Sequence, residues 1–534
     1  MAKPKLVLVA LDAADARLVQ HLASEGQLPT FARLFASGLT APVTTPPAVL
    51  EGGIWPTLLT SSSPATHGMI SFQAMKPGTY EIENPMYADR LPRPPFWAYM
   101  SQAGKRVAAI DVPFARPLVG LNGVQLTNWG AHDSWCWRRS SSPASLMDEV
   151  VRRFGEHPVH HCDAENRSLE DYEELRAGLI AGAQRKAALL RHFLAQEDWD
   201  FFIGVFSESH CAGHQFWHLT DPSHPRYDPS APATLRSAIR DVYRAIDAGV
   251  GDILDDLGPD VPVLVLLSHG MGPYYSGSHL LDEVLDRLGQ GAPPEAPGFP
   301  GRYAYSNRGM RGVLWNLRRL LPRNLRQTLR AWLPGPLAAL WNLAHPVPNL
   351  WKPGMRAWAV PSNNMTGAIR VNLKGRDPFG AVAPGAEYES LCEELTARLL
   401  ELTNPETGQA AVQWVRRARD LYDGPRLQTL PDIFVEWAHH VPINALSSPT
   451  IGTVTGALAA ERTGDHWAQG LLVGRSPHFC RGEIGEIRTQ DLAPTLLDLL
   501  GVAIPPGYEG RSVALDQGRL QRSYASLQHP RSSS

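Results

Sequence analysis

Two histidines four residues apart, His210 and His214, follow an apolar segment of the chain. On a helix this spacing places both imidazoles on one face, where they can bind the same metal ion. His269 and His466 lie in short polar segments beside other apolar runs, and Asp12 directly follows the first apolar run. Imidazole and carboxylate groups are zinc ligands, so these five residues are candidate metal ligands. Taken singly, each pattern is more typical of a side chain that forms structural hydrogen bonds.

Several of these candidates stand at the ends of apolar segments that have the length of buried strands. Such segments are residues 6–11, 106–110, 201–206 and 261–267. Segments that are apolar on both faces are typical of parallel strands covered by helices. Helical patterns alternate with them, at 170–196, 233–257 and 387–402. The sequence therefore predicts an α/β fold, a doubly wound and mainly parallel sheet with helices on both faces, which binds ligands at the carboxyl ends of its strands.

Residues 289–363 differ in composition from the rest of the chain. Pro- and Gly-rich turns lead into a basic, tryptophan-bearing stretch that Pro322 and Pro334 interrupt. Because these prolines break a long amphipathic helix, we expect a helical cap insertion over the site rather than a membrane-surface or partner helix. The expected organisation is a first part of the α/β core at 1–288, the cap at 289–363, a second part of the core at 364–516 and a disordered tail at 517–534.

The composition is that of a globular protein with no strong charge. Among 534 residues, 50 are Lys or Arg and 53 are Asp or Glu, which gives a formal net charge of −3. This balance gives no reason to expect a nucleic acid polymer as partner. The five cysteines form no CxxC pattern, and the apolar run at 6–11 is too short for a membrane span. We therefore expect a cytoplasmic protein without a transmembrane segment.

Several segments, in order along the chain, resemble the alkaline phosphatase superfamily and in particular its type I phosphodiesterase/nucleotide pyrophosphatase branch. The resemblance is carried by residues 9–15, 55–60, 369–376 and 491–497, together with Pro64, His67-Gly68, Pro431-Asp432 and Gly510-Arg511. It covers nearly the whole chain outside the insertion and the tail. An alkaline phosphatase-like core is therefore expected.

The resemblance implies two metal ions, usually zinc, each held by aspartates and histidines. At the positions of the first metal's ligands this chain has His210, His214 and His466, so a histidine replaces the family's aspartate at position 210. At those of the second metal it has Asp12, the nucleophile position, Ser268 and His269, with a serine in place of an aspartate. We expect one or two divalent metal ions, with zinc as the metal.

The family attacks phosphorus with a Thr or Ser hydroxyl, but alignment through the matching Trp55 puts Glu51 at the nucleophile position. Glu51 would then replace the ligand lost at Ser268 and complete a site with Asp12 and His269. It would act as a ligand or a general base for direct attack by metal-bound hydroxide. The alternative nucleophile is Thr45, because its Thr-Pro-Pro-Ala string resembles the family's nucleophile turn; this alignment needs an insertion before Trp55.

The resemblance thus implies a metal-dependent hydrolase of a small-molecule ester, namely a phosphodiester, a nucleotide-like compound or a related ester. Asn128, His132 and Asp133 are candidates for substrate binding, or else belong to a loop held by its own hydrogen bonds. Two other functions keep the same fold: a non-hydrolytic metal- or ligand-binding protein, and a transferase that passes a phosphoryl or acyl group to an acceptor other than water.

Overall fold

The computed structural model describes residues 4–49, 51–83, 91–130, 139–160, 162, 167–291, 304–305, 348–350, 354–362, 365–456 and 462–516. The expected cap insertion at 289–363 lies largely outside the described residues, and the expected tail at 517–534 lies entirely outside them.

The described strands and helices alternate in the first half of the chain, as the apolar pattern predicts. The strands are β1 Leu6–Leu11, β2 Leu39–Thr44, β3 Ala74–Met75, β4 Ile82–Glu83, β5 Val107–Ile110, β6 Gly123–Thr127, β7 Ser140–Ser142, β8 Phe201–Phe206, β9 Val263–Leu267, β10 Gly270–Pro273, β11 Ala304–Tyr305, β12 Pro348–Asn349, β13 Ala357–Ala359, β14 Thr366–Val371, β15 Thr403–Asn404, β16 Gln409–Ala410, β17 Val412–Arg417, β18 Ile433–Trp437, β19 Ala445–Ser448, β20 Gly452–Thr455, β21 Gly464–Trp467, β22 Gln469–Arg475, β23 Gly482–Glu483 and β24 Ile487–Arg488. The helices are α1 Ala16–Ser24, α2 Pro29–Ser37, α3 Glu51–Thr60, α4 Pro64–His67, α5 Trp97–Gln102, α6 Leu146–Phe154, α7 Leu169–Gln196, α8 Glu208–Thr220, α9 Ala233–Arg236, α10 Ala238–Leu257, α11 Leu281–Arg287, α12 Ala386–Leu400, α13 Ala418–Leu421 and α14 Thr489–Leu499.

The central sheet has the strand order β23-β2-β22-β9-β1-β8-β5-β6-β7, and β24 also pairs with β2. Strands β9, β1, β8, β5 and β6 run parallel, with Leu8 of β1 opposite Ile203 on one side and Leu264 on the other. β22 and β7 are antiparallel to their neighbours β9 and β6. The carboxyl ends of β1, β8 and β9 therefore meet at one edge of the sheet, together with the start of β22.

Helices cover both faces of this sheet, because its strands are apolar on both sides. Val7, Val9 and Leu11 of β1 join a hydrophobic cluster with α1, α2, α7, α8 and α10. The alternate side chains of the same strand join a second cluster with α3, α5 and α14. The prediction of a doubly wound, mainly parallel α/β sheet with helices on both faces is confirmed.

A smaller antiparallel sheet of order β13-β14-β18-β17 lies in the second half of the chain and shares a separate hydrophobic cluster with α11 and α12. Some predicted bounds differ from the structure in detail. The helical pattern at 233–257 forms two helices that meet at Ser237, whose hydroxyl donates to Asp241 Oδ2 at 2.9 Å. In the parts of the chain that the structure describes, none of the helices has the length and apolar character needed to cross a membrane.

Candidate metal centre

Helix α8 carries two of the candidate ligands. It begins immediately beyond the carboxyl end of β8, so His210 and His214 project from its first turns at the ligand-binding edge of the sheet. Their spacing of four residues brings the two Nε2 atoms within 2.8 Å of each other. Both imidazoles are buried, with exposed fractions of 6% and 0%.

His466 comes from β21, far along the chain, and completes the group. β21 pairs with β10 so that His466 lies opposite Met271, and its Nε2 atom lies 2.9 Å from Nε2 of His210. Gly464, two residues earlier, lies directly against α8, where a Cβ atom would lie 2.3 Å from the carbonyl oxygen of Gly213. The ligand atoms of His210, His214 and His466 all lie within 4.8 Å of one another, and we call this group the histidine triad.

The hydrogen bonds behind the histidine triad decide which of its ring nitrogens carry protons. Nδ1 of His214 lies 2.7 Å from the carbonyl oxygen of Gly464, and Nδ1 of His210 lies 2.9 Å from Oδ2 of Asp12. Both partners only accept, so these Nδ1 atoms must donate, and neutral imidazoles then present Nε2 lone pairs. Lone pairs that face one another across less than 3 Å repel, and a metal ion bound by all three Nε2 atoms would relieve that repulsion. The residues present thus fit a metal ion.

Carboxylates lie near two of the three imidazoles. Nδ1 of His466 lies 3.2 Å from Oδ1 of Asp465, a close approach without the hydrogen bond that Nδ1 of His210 forms with Asp12. Carboxylates in this position fix the tautomer and orientation of a metal-ligating histidine. The donor set of three imidazoles is one that zinc accepts, with a fourth position open.

Asp12 is held at the carboxyl end of β1 by donors on both of its oxygens. Trp55 Nε1 donates to Oδ1 at 2.8 Å, and His210 contacts Oδ2. Burial by itself would raise the pKa of Asp12, but His210 and the Trp55 indole help to hold it well below its usual range. Asp12 is therefore a carboxylate in the folded protein, and the structure places it behind His210 of the histidine triad.

Ser268 and His269 follow the end of β9, beside Asp12. Ser268 Oγ lies 3.3 Å from Oδ1 of Asp12 and 2.9 Å from Nδ1 of His269. The ring of His269 lies 4.8 Å from that of His466, centroid to centroid. Its buried Nε2 atom has no hydrogen-bond partner among the described residues, and burial lowers the pKa of His269 to about 4. A neutral imidazole with a partnerless nitrogen is suited to bind a further metal ion or a substrate oxygen.

The two candidates for the attacking group lie on successive elements. Glu51 is the first residue of α3, and its side chain is outside the described part of the structure. Thr45 directly follows β2 and is buried, and its hydroxyl has no hydrogen-bond partner in the described regions. Because Thr44 pairs with Gln469 at the start of β22, Thr45 lies at the same edge of the sheet as the histidine triad.

Of the candidates for substrate binding, only Asn128 is described; His132 and Asp133 lie outside the described residues. Asn128 follows β6 in a left-handed conformation, with φ of 62°. The backbone N–H groups of the next two residues donate to the carboxylate of Asp111, both at 2.8 Å. These bonds fit the alternative interpretation, a loop held by its own hydrogen bonds, and the role of Asn128 in substrate binding stays a prediction.

Two buried pairs of ionisable side chains beside the site were not singled out from the sequence. Lys186 of α7 pairs with Asp111 at the end of β5, and His157 Nε2 lies 3.0 Å from Glu208 Oε1 at the start of α8. The sequence does contain a signal for the first pair. Lys186 lies on the same helical face as the apolar Ala183, and a lysine on an apolar face of a helix needs a buried partner. Asp465, adjacent to His466, was the other omission.

Comparison with known proteins identifies the family of this chain. The family model described as type I phosphodiesterase/nucleotide pyrophosphatase matches residues 6–441. A comparison with curated proteins gave no match. Among solved structures, phosphonoacetate hydrolase from Sinorhizobium meliloti in complex with phosphonoformate is 14% identical, with 94% of this chain and 96% of that chain covered and a TM-score of 0.48. Murine ectonucleotide pyrophosphatase/phosphodiesterase 5 is 12% identical, with the same coverage and TM-score.

The family match spans most of the chain, including β1 with Asp12, helix α8 with two histidines of the triad, and His269. His466 lies beyond the last matched residue, but in the structure its imidazole lies beside His210, which is within the match. The chain belongs to the type I phosphodiesterase/nucleotide pyrophosphatase family of the alkaline phosphatase superfamily, a family of hydrolases.

Proposed function

We propose that the protein is a metal-dependent hydrolase that cleaves a phosphodiester, a nucleotide-like compound or a related small ester, with zinc as the metal. The observation that carries the proposal is the meeting of three imidazole Nε2 atoms in the histidine triad, where at least two of the Nδ1 atoms must donate to acceptors behind them. The family match supports hydrolysis as the reaction class.

In this proposal His210, His214 and His466 hold one metal ion. A zinc ion held by three histidines supplies Lewis acidity, because it polarises an ester oxygen and lowers the pKa of water. Asp12 orients His210 and Asp465 faces His466, so that the imidazoles meet the ion without reorganisation.

A second metal ion would be held by Asp12, Glu51 and His269. The partnerless and buried Nε2 atom of His269 supports this assignment, as does the position of Asp12 beside Ser268. Asp12 would then serve both sites, since its Oδ2 atom has a lone pair left after accepting from His210.

Glu51 is the proposed general base, which takes the proton of the attacking water, or else a ligand of the second metal ion. Thr45 is the competing candidate, as a nucleophilic hydroxyl. Its support is specific: a buried hydroxyl without a hydrogen-bond partner among the described residues, at the ligand-binding edge of the sheet. Substitution of each residue separates the two mechanisms.

The first experiment is metal analysis of the purified protein by elemental methods, beside the variants Glu51→Ala and His214→Ala. We expect about two equivalents of zinc in the wild type and about one in each variant. The control is His192→Ala, a histidine of α7 that bonds to Gln196 and leaves the metal content unchanged. Absence of metal from the wild type would refute the proposal, and an unchanged content in Glu51→Ala would remove Glu51 from the ligand set.

The second experiment measures hydrolysis of bis(4-nitrophenyl) phosphate by the metal-loaded protein. Turnover that is lost in Glu51→Gln and retained in Thr45→Val would support the general base. Turnover that is lost in Thr45→Val, with a phosphorylated wild-type intermediate, would instead support a nucleophilic hydroxyl. Product analysis in the presence of added alcohols separates hydrolysis from transfer to another acceptor.

A further inference from the structure

A cavity of about 620 Å³ lies beside the histidine triad and reaches His466. Its walls come from the start of α1, from the end of β21 and from the segment that follows β18. The residues used below are Asp15, Arg17, Glu436, His439, His466 and Trp467. A cavity of this size can enclose a group as large as a small organic ligand. A substrate bound at the triad would have this cavity next to it.

The indole of Trp467 is held in place by close packing against β10. A Cβ atom at Gly272 would lie 2.2 Å from Cε2 of Trp467, so only glycine permits this approach. The guanidinium carbon of Arg17 lies 4.3 Å from the centroid of the indole ring, a cation–π distance. Trp467 and Arg17 thus form a layered, planar surface in the wall of the cavity.

Two basic side chains at the cavity, Arg17 and His439, already have acceptors beside them. Arg17 lies 3.4 Å from Oδ2 of Asp15. His439 lies between the carbonyl oxygen of Tyr275, 2.9 Å from Nδ1, and Oε1 of Glu436, 3.0 Å from Nε2. Both ring nitrogens of His439 thus face acceptors within the protein, so neither is available to an anionic ligand.

The remainder of the lining combines the apolar residues Ala16, Ala410, Ala438, Ala468 and Val412 with the polar residues Gln413, His440 and Gln469. The charged groups of this cavity are already paired, and its other walls are apolar or amide side chains together with His440, which is bonded to Gln409. Such a cavity has little to offer a second anionic group. It favours an uncharged ring, which gains apolar burial and stacking on a flat guanidinium–indole surface.

We propose that this cavity binds an uncharged aromatic substituent of the ester substrate, with its ring against Arg17 and Trp467 and its ester group at the histidine triad. The substrate class is accordingly an aryl or heteroaryl ester. The inference rests on the proposed function for the position of the ester group, whereas binding of the ring to the cavity does not depend on it.

Calorimetry of the metal-loaded protein tests the two parts with separate probes. The first probe is 2-naphthol, which supplies a ring alone. The second is the pair of phenylphosphonate and methylphosphonate, which share an anionic head and differ in the ring. We expect 2-naphthol to bind, to compete with phenylphosphonate and to leave methylphosphonate binding unchanged.

The variants Arg17→Met and Trp467→Leu remove the two layers of the planar surface in turn. Each variant is expected to weaken the binding of 2-naphthol by about fivefold or more. Each should also reduce the preference for phenylphosphonate over methylphosphonate by a similar factor. The matched control is Arg106→Met. Arg106 also lies over a tryptophan, Trp199, at 5.8 Å, but at the start of β5 and so at the opposite edge of the sheet.

Failure of 2-naphthol to bind, or equal binding to wild type and both variants, would overturn the inference. If 2-naphthol binds as expected but methylphosphonate does not bind at all, the proposed phosphoester site fails and the aromatic cavity stands. A loss of methylphosphonate binding only in Trp467→Leu would show that this variant disturbs His466, and Arg17→Met then decides the outcome.

Discussion

At the scale of single residues, the site depends on which nitrogen of each imidazole carries the proton. The sequence places histidines four residues apart, but the tautomers are fixed by Asp12 and by the carbonyl oxygen of Gly464. These acceptors turn the Nε2 lone pairs of His210 and His214 toward one point, where Nε2 of His466 also lies. Histidines with the opposite tautomer would turn N–H groups toward that point and could not bind a metal ion there.

We predict that Asp12→Asn weakens metal binding by about tenfold to a hundredfold. An amide has only one oxygen, so it cannot accept from both Trp55 and His210 as the carboxylate does. Competition with a chelating indicator measures the affinity. Asp200→Asn serves as the control, because Asp200 pairs with Lys5 at the other edge of the sheet. Equal affinities of Asp12→Asn and wild type would show that Asp12 does not orient the triad.

His67 is a buried residue whose neutral state has a consequence for stability. Its Nδ1 atom accepts from the N–H of Met69 at 3.1 Å, and its Nε2 atom lies 3.0 Å from the hydroxyl of Thr57. Burial and the nearby Arg426 lower the pKa of His67 to about 3. The unfolded chain, with an ordinary histidine pKa of about 6.5, therefore binds a proton that the folded protein excludes.

We predict that His67 contributes to acid sensitivity between about pH 6.5 and pH 3. Its contribution to stability is complete above the unfolded pKa and is lost as the pH falls toward the folded pKa. In that window each such histidine adds a slope of up to about 1.4 kcal/mol per pH unit. Urea unfolding of wild type and His67→Asn, at several pH values, measures the difference, which should be a shallower slope in the variant. Parallel slopes would contradict the prediction.

At the scale of elements, the decisive contact is that between β21 and α8. Pairing with β10 brings β21 to the ligand-binding edge of the sheet, and Gly464 lets its backbone touch α8. The backbone N–H of Thr463 donates to the carbonyl oxygen of His214 at 2.8 Å, which fixes the two elements in register. His466 thereby reaches two histidines that precede it by about half the chain.

We predict that Gly464→Ala separates β21 from α8 and weakens both the metal site and the fold. Its Cβ atom would lie 2.3 Å from a backbone oxygen of Gly213, which cannot move as a side chain can. Overpacking of this kind costs about 1–3 kcal/mol, and we expect a loss of zinc beside a lower urea midpoint. Gly178→Ala is the control, since its nearest neighbour would be Val159 Cγ2 at 2.9 Å. A stable Gly464→Ala that retains its zinc would refute this explanation.

At the scale of the whole molecule, the core is held by packing and buried ion pairs, with no disulfide among the described cysteines. Cys162, Cys211, Cys392 and Cys480 are free and buried; the sequence also has Cys136, outside the described residues. Free thiols of this kind are typical of a reducing compartment, and the cytoplasmic location expected from the sequence stays a prediction.

We predict that all five cysteines react with a thiol reagent in denaturant without added reductant, and that few react in the folded protein because the described ones are buried. Absorbance of the released chromophore gives the count, and the same assay after reduction is the control. A count that rises by two or more on reduction would reveal a disulfide and contradict the prediction of free thiols.

The sequence by itself determined the fold class and most of the candidate ligands, because both are local properties. Apolar runs of strand length specify a buried parallel sheet, and the polar residues that end them must lie at its carboxyl edge. Asp12, His210, His214 and His269 could be selected in this way. The helix over 170–196 was also predicted almost to its bounds, Leu169–Gln196, since its pattern is continuous.

The tertiary structure decided which of these residues meet and what supports them. The convergence of His466 with His210 depends on the pairing of β21 with β10, a contact between segments almost 200 residues apart in sequence that no local pattern encodes. The positions of Trp55 and Asp465 behind the ligands, and the Arg17–Trp467 cavity, follow from the same long-range packing. Local sequence specifies the types of groups at the edge of a sheet; only the packing of distant elements fixes their distances, tautomers and burial.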